Sequence, residues 1–242
     1  MNHYYTDEIN TLVLVSLLKE HNIKKIIASP GTTNISFVGS VQFDPYFEVY
    51  SAVDERAAAF MACGLAEESG EPVVLTCTGA TASRNYIPGL TEAYYRHLPV
   101  LAVTSTQHTG RVGNYVAQVI DRSEQFPDMA KKSIQLPTVY SEEDKQHTIT
   151  AVNDALLELV HGNAGPVHIN LITTYSNGFN TKELPKYRTI RRVVDKDYPE
   201  LPNGNIGIFV GAHAKFSEEE TEAIDKFCES NNAVVICDQI SN

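Results

Sequence analysis

Val53-Asp54-Glu55-Arg56-Ala57-Ala58-Ala59-Phe60 is the stretch on which the reading of this chain turns. Before it, Phe47-Glu48-Val49-Tyr50-Ser51-Ala52-Val53 alternates its large residues as a strand does. After it, Ala57 to Glu68 is rich in helix formers, with Ala58, Met61, Ala62 and Leu65 at helical spacing. Glu55 therefore falls where a strand end turns into a helix start, the edge at which open α/β sheets bind ligands. An acidic residue there also has a plain role, because the free N–H groups and macrodipole of a helix start attract negative charge. The helix itself favours a ligand. Ala57, Ala58, Ala59, Ala62, Cys63, Gly64 and Ala66 make it narrow on nearly every side, open to close approach by another helix or subunit. That predicts a buried first turn, and a buried carboxylate needs a partner.

Upstream, the pattern predicts a helix capped by Thr6 and running to about His21, with Asp7 and Glu8 in its first turn. Its core stripe is Ile9, Leu12, Val13, Leu17 and Leu18. Lys24 to Ala28 is a strand that breaks at Ser29-Pro30-Gly31-Thr32-Thr33-Asn34, a turn into a short helix. That turn has neither the lysine of a P-loop nor the spacing of a dinucleotide fingerprint. Downstream, Val73 to Cys77 is an apolar strand, and Thr78-Gly79-Ala80-Thr81-Ala82-Ser83-Arg84-Asn85 leads into a helix ending near Arg96. Pro99 to Ser105 is the next strand, Gln107 to Gln125 a surface or site loop, and Ser133 to Pro137 a further strand. A helix over Glu142 to His161 and a strand over Val167 to Leu171 close the unit. Strand and helix alternate six times. The expected fold is α/β, a doubly wound six-stranded parallel sheet over residues 1–172.

Residues 173–204 carry prolines and charges with little periodicity and read as a linker. Residues 205–242 read as the truncated start of a second α/β domain, with a capping box from Ser217 to Glu220. A net charge of −11 argues against a nucleic-acid surface, and the apolar runs are strand-length, too short for a membrane span. The segment Met1 to Asp7 lacks the basic and apolar regions of a signal peptide, and a cytoplasmic protein is expected. Cys63, Cys77, Cys228 and Cys237 form no C-x-x-C pair and read as buried reduced thiols, with no metal ligands.

In this order the segments resemble the pyrimidine-binding domain of thiamine-diphosphate enzymes, most closely the SEPHCHC synthase family of menaquinone biosynthesis. Ala28-Ser29-Pro30-Gly31-Thr32-Thr33 is similar to that family's A-P-G-S-R-S, and Asp54-Glu55-Arg56 with Gly64-Leu65-Ala66 to its D-E-R and G-L-A elements. Thr78 to Pro88 follows its T-S-G-T-A-x-x-N-x-x-P run. Gln118, Ser133-Ile134-Gln135-Leu136-Pro137 and Val167-His168-Ile169-Asn170 are further landmarks. Two family arginines, which hold substrate carboxylates, are absent: Thr33 stands for one, and Thr104-Ser105-Thr106-Gln107 replaces the segment with the other.

The resemblance implies that Glu55 is catalytic, meeting the cofactor pyrimidine and favouring its imino tautomer. It implies cofactor contacts from Pro30, Gly31, Thr78, Gly79, Ala80 and Thr81, and substrate contacts from Thr32, Thr33 and Gln118. Thiamine diphosphate is the implied cofactor, its Mg²⁺ held by a domain whose G-D-G motif does not occur here, so the chain alone should be inactive. A 2-oxo acid is the implied substrate, and a homodimer or homotetramer through this domain the implied assembly. Acetolactate-synthase-like or oxo-acid decarboxylase chemistry, a non-catalytic assembly module of the same fold, and an unrelated nucleotide-binding α/β protein are the alternatives.

Overall fold

Apolar strands buried on both faces need helices on both sides, and this requirement shapes the N-terminal unit. The computed structural model describes residues 4–194, 198, 200, 201 and 203–238. Residues 1–3, residues 195–197, 199 and 202 of the expected linker, and residues 239–242 of the expected second domain lie outside that description. The chain divides into two compact units, Met1–Arg192 and Val193–Asn242.

In the first unit, β1 (Lys25–Ala28), β2 (Glu48–Ser51), β3 (Val73–Cys77), β4 (Val100–Thr106), β5 (Lys132–Leu136) and β6 (Val167–Ile172) form one sheet. Its order is β2-β1-β3-β4-β6-β5, and all its pairings are parallel. Strands β3, β4 and β6 are buried at every position, as their unbroken apolar runs require. One face carries α1 (Ile9–Glu20), α2 (Ile35–Val41) and α6 (Glu142–Val160), packed over Ile26, Val74, Leu101 and Ile169. The other carries α3 (Glu55–Ser69), α4 (Ala80–Arg84) and α5 (Ile87–Tyr95), over Ile27, Leu75, Cys77 and Ala102. The doubly wound parallel sheet expected from the sequence is the observed one.

Three details differ. Helix α1 starts at Ile9 rather than near Thr6. The Thr6 N–H donates to the Ser40 hydroxyl at 3.0 Å, and the Glu8 carboxylate takes the Thr174 N–H at 3.0 Å and hydroxyl at 2.9 Å, so these residues serve tertiary contacts. The helix expected to run to Arg96 is two helices, parted at Asn85 and Tyr86. Pro88 has no N–H and its ring would strike the carbonyl four residues back, at Arg84, where α4 ends. Finally, Thr173–Arg192 runs along the first unit. Tyr5 and Thr181 form a β-bridge, Asn153 receives the Ile190 N–H at 2.8 Å, and Leu184 and Tyr187 pack on the core.

The second unit holds β7 (Ile206–Val210), α7 (Glu218–Asn231) and β8 (Ala233–Cys237), its two strands parallel. Ser217 and Glu220 form the expected capping box. Cys63 and Cys77 are buried free thiols, as expected, whereas Cys228 is half-buried and Cys237 exposed. Among the described residues a two-stranded sheet and one helix cover too little of β8 to bury it.

Candidate functional site

The strand order reverses between β1 and β3, because β2 lies on one side of β1 and β3 on the other. The crevice beyond the C-terminal ends of such a pair is the ligand position of open α/β sheets. Two turns meet there. The first, Ser29 to Asn34, is pinned by Asn34, whose amide donates to the Ser29 carbonyl at 3.2 Å and the Thr76 hydroxyl at 3.3 Å. Its oxygen accepts the Gly31 N–H at 2.8 Å. A Cβ on Gly31 would collide with the Thr78 methyl, so the first turn packs directly on the second. Pro30, Gly31 and Thr32 are exposed, while Thr33 is buried and its carbonyl accepts the Thr173 hydroxyl at 2.9 Å.

The second turn, Thr78 to Thr81, is approached by the 107–125 loop. Gln118, at φ 61°, turns its carbonyl to the Ala80 N–H at 3.2 Å. Its own side chain fills the space beside Gly79, where an added Cβ would stand 2.8 Å from the Gln118 Cβ. The small residue at 79 thus admits a protein side chain. Thr78 is half-buried, Gly79 and Ala80 are buried, and Thr81 faces solvent.

Glu55 is the first residue of α3, beyond the end of β2 and beside the β1 turn. The cap belongs to its neighbour: the Asp54 side chain accepts the Ala57 N–H at 2.7 Å. Glu55 itself is half-buried and, among the described residues, takes no hydrogen bond or ion pair. The sequence led us to expect a fully buried first turn. Instead only one side of α3 is packed, through Ala58, Ala59, Ala62, Cys63 and Ala66. Ala57, Phe60, Met61 and Gly64 face outward.

Buried polar atoms without partners gather at this edge: the hydroxyls of Ser29, Thr33, Tyr86 and Ser105, and Nε of Arg122. Tyr86 OH lies against Cys77 and Ser29 without a well-formed bond to either. Burial above all pushes the Cys77 thiol up to about 12 and the Tyr86 phenol well above its ordinary range, with the Glu55 charge a smaller contribution to each. Neither titrates near neutral pH. Arg122 is fully enclosed, and burial lowers it to about 10, still cationic at pH 7. The structure thus joins Gly31 to Thr78, and Gly79 and Ala80 to Gln118, with Pro30 exposed in the first turn and Glu55 beyond the end of β2. Sequence reasoning missed Asn34, Ser29 and Tyr86 as site residues. Of these only Asn34, an amide closing a hydroxyl-rich turn, carries a local signal. Among the described residues no group of three or more His, Cys, Asp or Glu could hold a metal ion, and no helix is long and apolar enough to cross a membrane.

Residues 11–125 match the family described as thiamine pyrophosphate enzyme, N-terminal TPP binding domain. A 2-succinyl-5-enolpyruvyl-6-hydroxy-3-cyclohexene-1-carboxylate synthase from Bacteroides thetaiotaomicron is 37% identical over 203 residues, which are 81% of this chain and 37% of that protein. A synthase of the same name from Porphyromonas gingivalis is 29% identical across 100% of this chain and 44% of its own length. Among solved structures, benzoylformate decarboxylase from Polynucleobacter necessarius shares the fold, with a TM-score of 0.59 at 18% identity over 96% of this chain and 43% of that one. The chain spans less than half the length of these relatives.

Proposed function

We propose, since this chain belongs to the thiamine-diphosphate-dependent enzyme superfamily, that it supplies the pyrimidine-binding half of a cofactor site in a SEPHCHC-synthase-type enzyme of menaquinone biosynthesis. Such an enzyme decarboxylates a 2-oxo acid and forms a carbon–carbon bond. One observation carries the reading: Asp54 caps α3, so Glu55 is left at the sheet edge with no structural bond to make. A residue held only for the helix start would be expected in the role Asp54 fills.

The residues present fit the cofactor's pyrimidine half. A ring with nitrogen donors and acceptors answers a free carboxyl at a half-buried helix start, and the unpartnered Ser29 and Tyr86 hydroxyls lie at the same edge. When bound, thiamine diphosphate supplies a carbon nucleophile and an electron sink beside a carbonyl. Glu55 holds a proton toward a pyrimidine ring nitrogen. Pro30, Gly31 and the 78–81 turn shape the space around the ring, and Thr32, Thr33 and Gln118 line the way for substrate. The Mg²⁺ that accompanies the diphosphate is assigned no ligand among the described residues.

The outward face of α3 supports assembly with a second copy. Ala57, Phe60, Met61 and Gly64 recur at helical spacing, and Phe60 and Met61 are 44% and 48% exposed. A homodimer that covers this face also dries the Glu55 turn.

Carbon dioxide release from 2-oxo acids by the complete enzyme carrying this chain tests the function. Release is expected only with thiamine diphosphate and Mg²⁺ both added. Release of equal rate without the cofactor, or none with any 2-oxo acid tried, contradicts it.

A further inference from the structure

Arg122 sits in the 107–125 loop with 2% of its surface exposed. Its Nη1 donates to the Thr78 carbonyl at 3.2 Å and its Nη2 to the Ser105 carbonyl at 2.8 Å, so one side chain joins the ends of neighbouring strands β3 and β4. Four residues earlier, Gln118 is hydrogen-bonded to Ala80 and packed on Gly79. The loop is therefore fastened to the 78–80 turn at two points.

The charge is the unusual part. Among the described residues no carboxylate pairs with Arg122, and its Nε has no partner. Beyond burial, its charge meets Cys77, protonated at neutral pH, Arg84, which repels it, and the neutral His168 ring. A neutral amide could bridge two carbonyls with a far smaller desolvation cost than a guanidinium. A cation enclosed without an acid leaves a positive potential, and around a side chain 2% exposed it is weakly screened.

We propose that Arg122 is a positioning and specificity-determining residue: it fixes Gln118 over the 78–80 turn and makes the strand edge selective for a substrate bearing a carboxylate. This rests on the reading of the edge as a thiamine-diphosphate site for 2-oxo acids. The clamp and the charge are separable by substitution. Arg122→Lys keeps the charge and loses the two-pronged donor; Arg122→Gln keeps donors without the charge; Arg122→Met keeps neither.

Two measurements decide it. In the complete enzyme, initial rates against 2-oxo acid concentration should show KM raised about tenfold in Arg122→Met with kcat within roughly threefold, the worth of one charge-assisted interaction. Arg122→Lys should recover most of the KM. In the present chain, amide hydrogen exchange at Ala80 and across 107–125 should quicken in Arg122→Met and in Arg122→Lys, with other strands unaffected. Should Arg122→Met not fold, Arg122→Gln takes its place in the rate comparison, with the same rise in KM expected. A folded charge-free variant with wild-type KM overturns the proposal, as does a fall in kcat matched by lower melting temperature and not rescued by Lys. If the wild-type enzyme proves independent of thiamine diphosphate, the functional reading fails first. Unchanged exchange at Ala80 then still overturns the clamp, and quickened exchange upholds it.

Discussion

Asp54 and Glu55 are adjacent acids with separate duties, and substitution should part them. Asp54→Ala removes the bond to Ala57 N–H and should cost about 1 kcal/mol in urea unfolding, the usual worth of an N-cap. A loss indistinguishable from zero would show that the cap is idle. His168 makes a prediction of a different kind. Its ring is enclosed between the Thr104 hydroxyl at 2.8 Å and the Ser133 hydroxyl at 2.7 Å, and burial lowers it from 6.5 to about 3, with the Arg122 charge adding to the effect. The folded ring is neutral where the unfolded one takes up a proton. Its contribution is therefore intact above about pH 6.5 and is lost progressively as pH falls toward 3. Unfolding free energy measured from pH 7 to 4 should fall more steeply in the wild type than in His168→Gln. Equal slopes would contradict the assignment.

At the scale of elements, α3 and α5 meet so closely that Gly89 has no room for a side chain. A Cβ there would stand 2.9 Å from the Ala59 carbonyl carbon and nearer still to its methyl, both part of the facing helix α3. Gly89→Ala should destabilise the unit by about 1 kcal/mol or more, overpacking exceeding the gain in helix propensity. A stabilised variant in urea unfolding would show that the helices can part. The same contact shows what the sequence could reveal. Alternation in 47–53 and the small residues after Glu55 made the strand, the turn and a closely approached helix readable. The break between α4 and α5 was signalled by Pro88 but hidden by the helical run on both sides of it. The start of α1 was not readable, because Thr6 and Glu8 look like caps until Ser40 and Thr174 are brought beside them. Nor was Arg122. A loop arginine acquires its meaning only when β3 and β4 end on either side of it.

For the whole molecule, the stretch after β6 belongs to the first unit as far as Arg192. A chain ending at Arg192 should keep a cooperative thermal transition. One ending at Ile172 loses the Thr181 bridge and the Glu8 and Asn153 contacts and should melt lower. Equal melting temperatures would count against those ties. Assembly is tested at Met61, on the outward face of α3: sedimentation should show a dimer in the wild type and a shift toward monomer in Met61→Glu. A wild type that is monomeric at tens of micromolar would remove the interface. In the proposed function, Glu55 is the carboxyl that serves the cofactor. Proton–deuterium exchange at C2 of bound thiamine diphosphate, followed by NMR in the complete enzyme, tests it most directly. Glu55→Gln should retain the cofactor and slow that exchange by roughly 10²–10⁴, the range of a positioned acid–base group. Equal rates in the two proteins would contradict the catalytic role and reduce Glu55 to a first-turn charge.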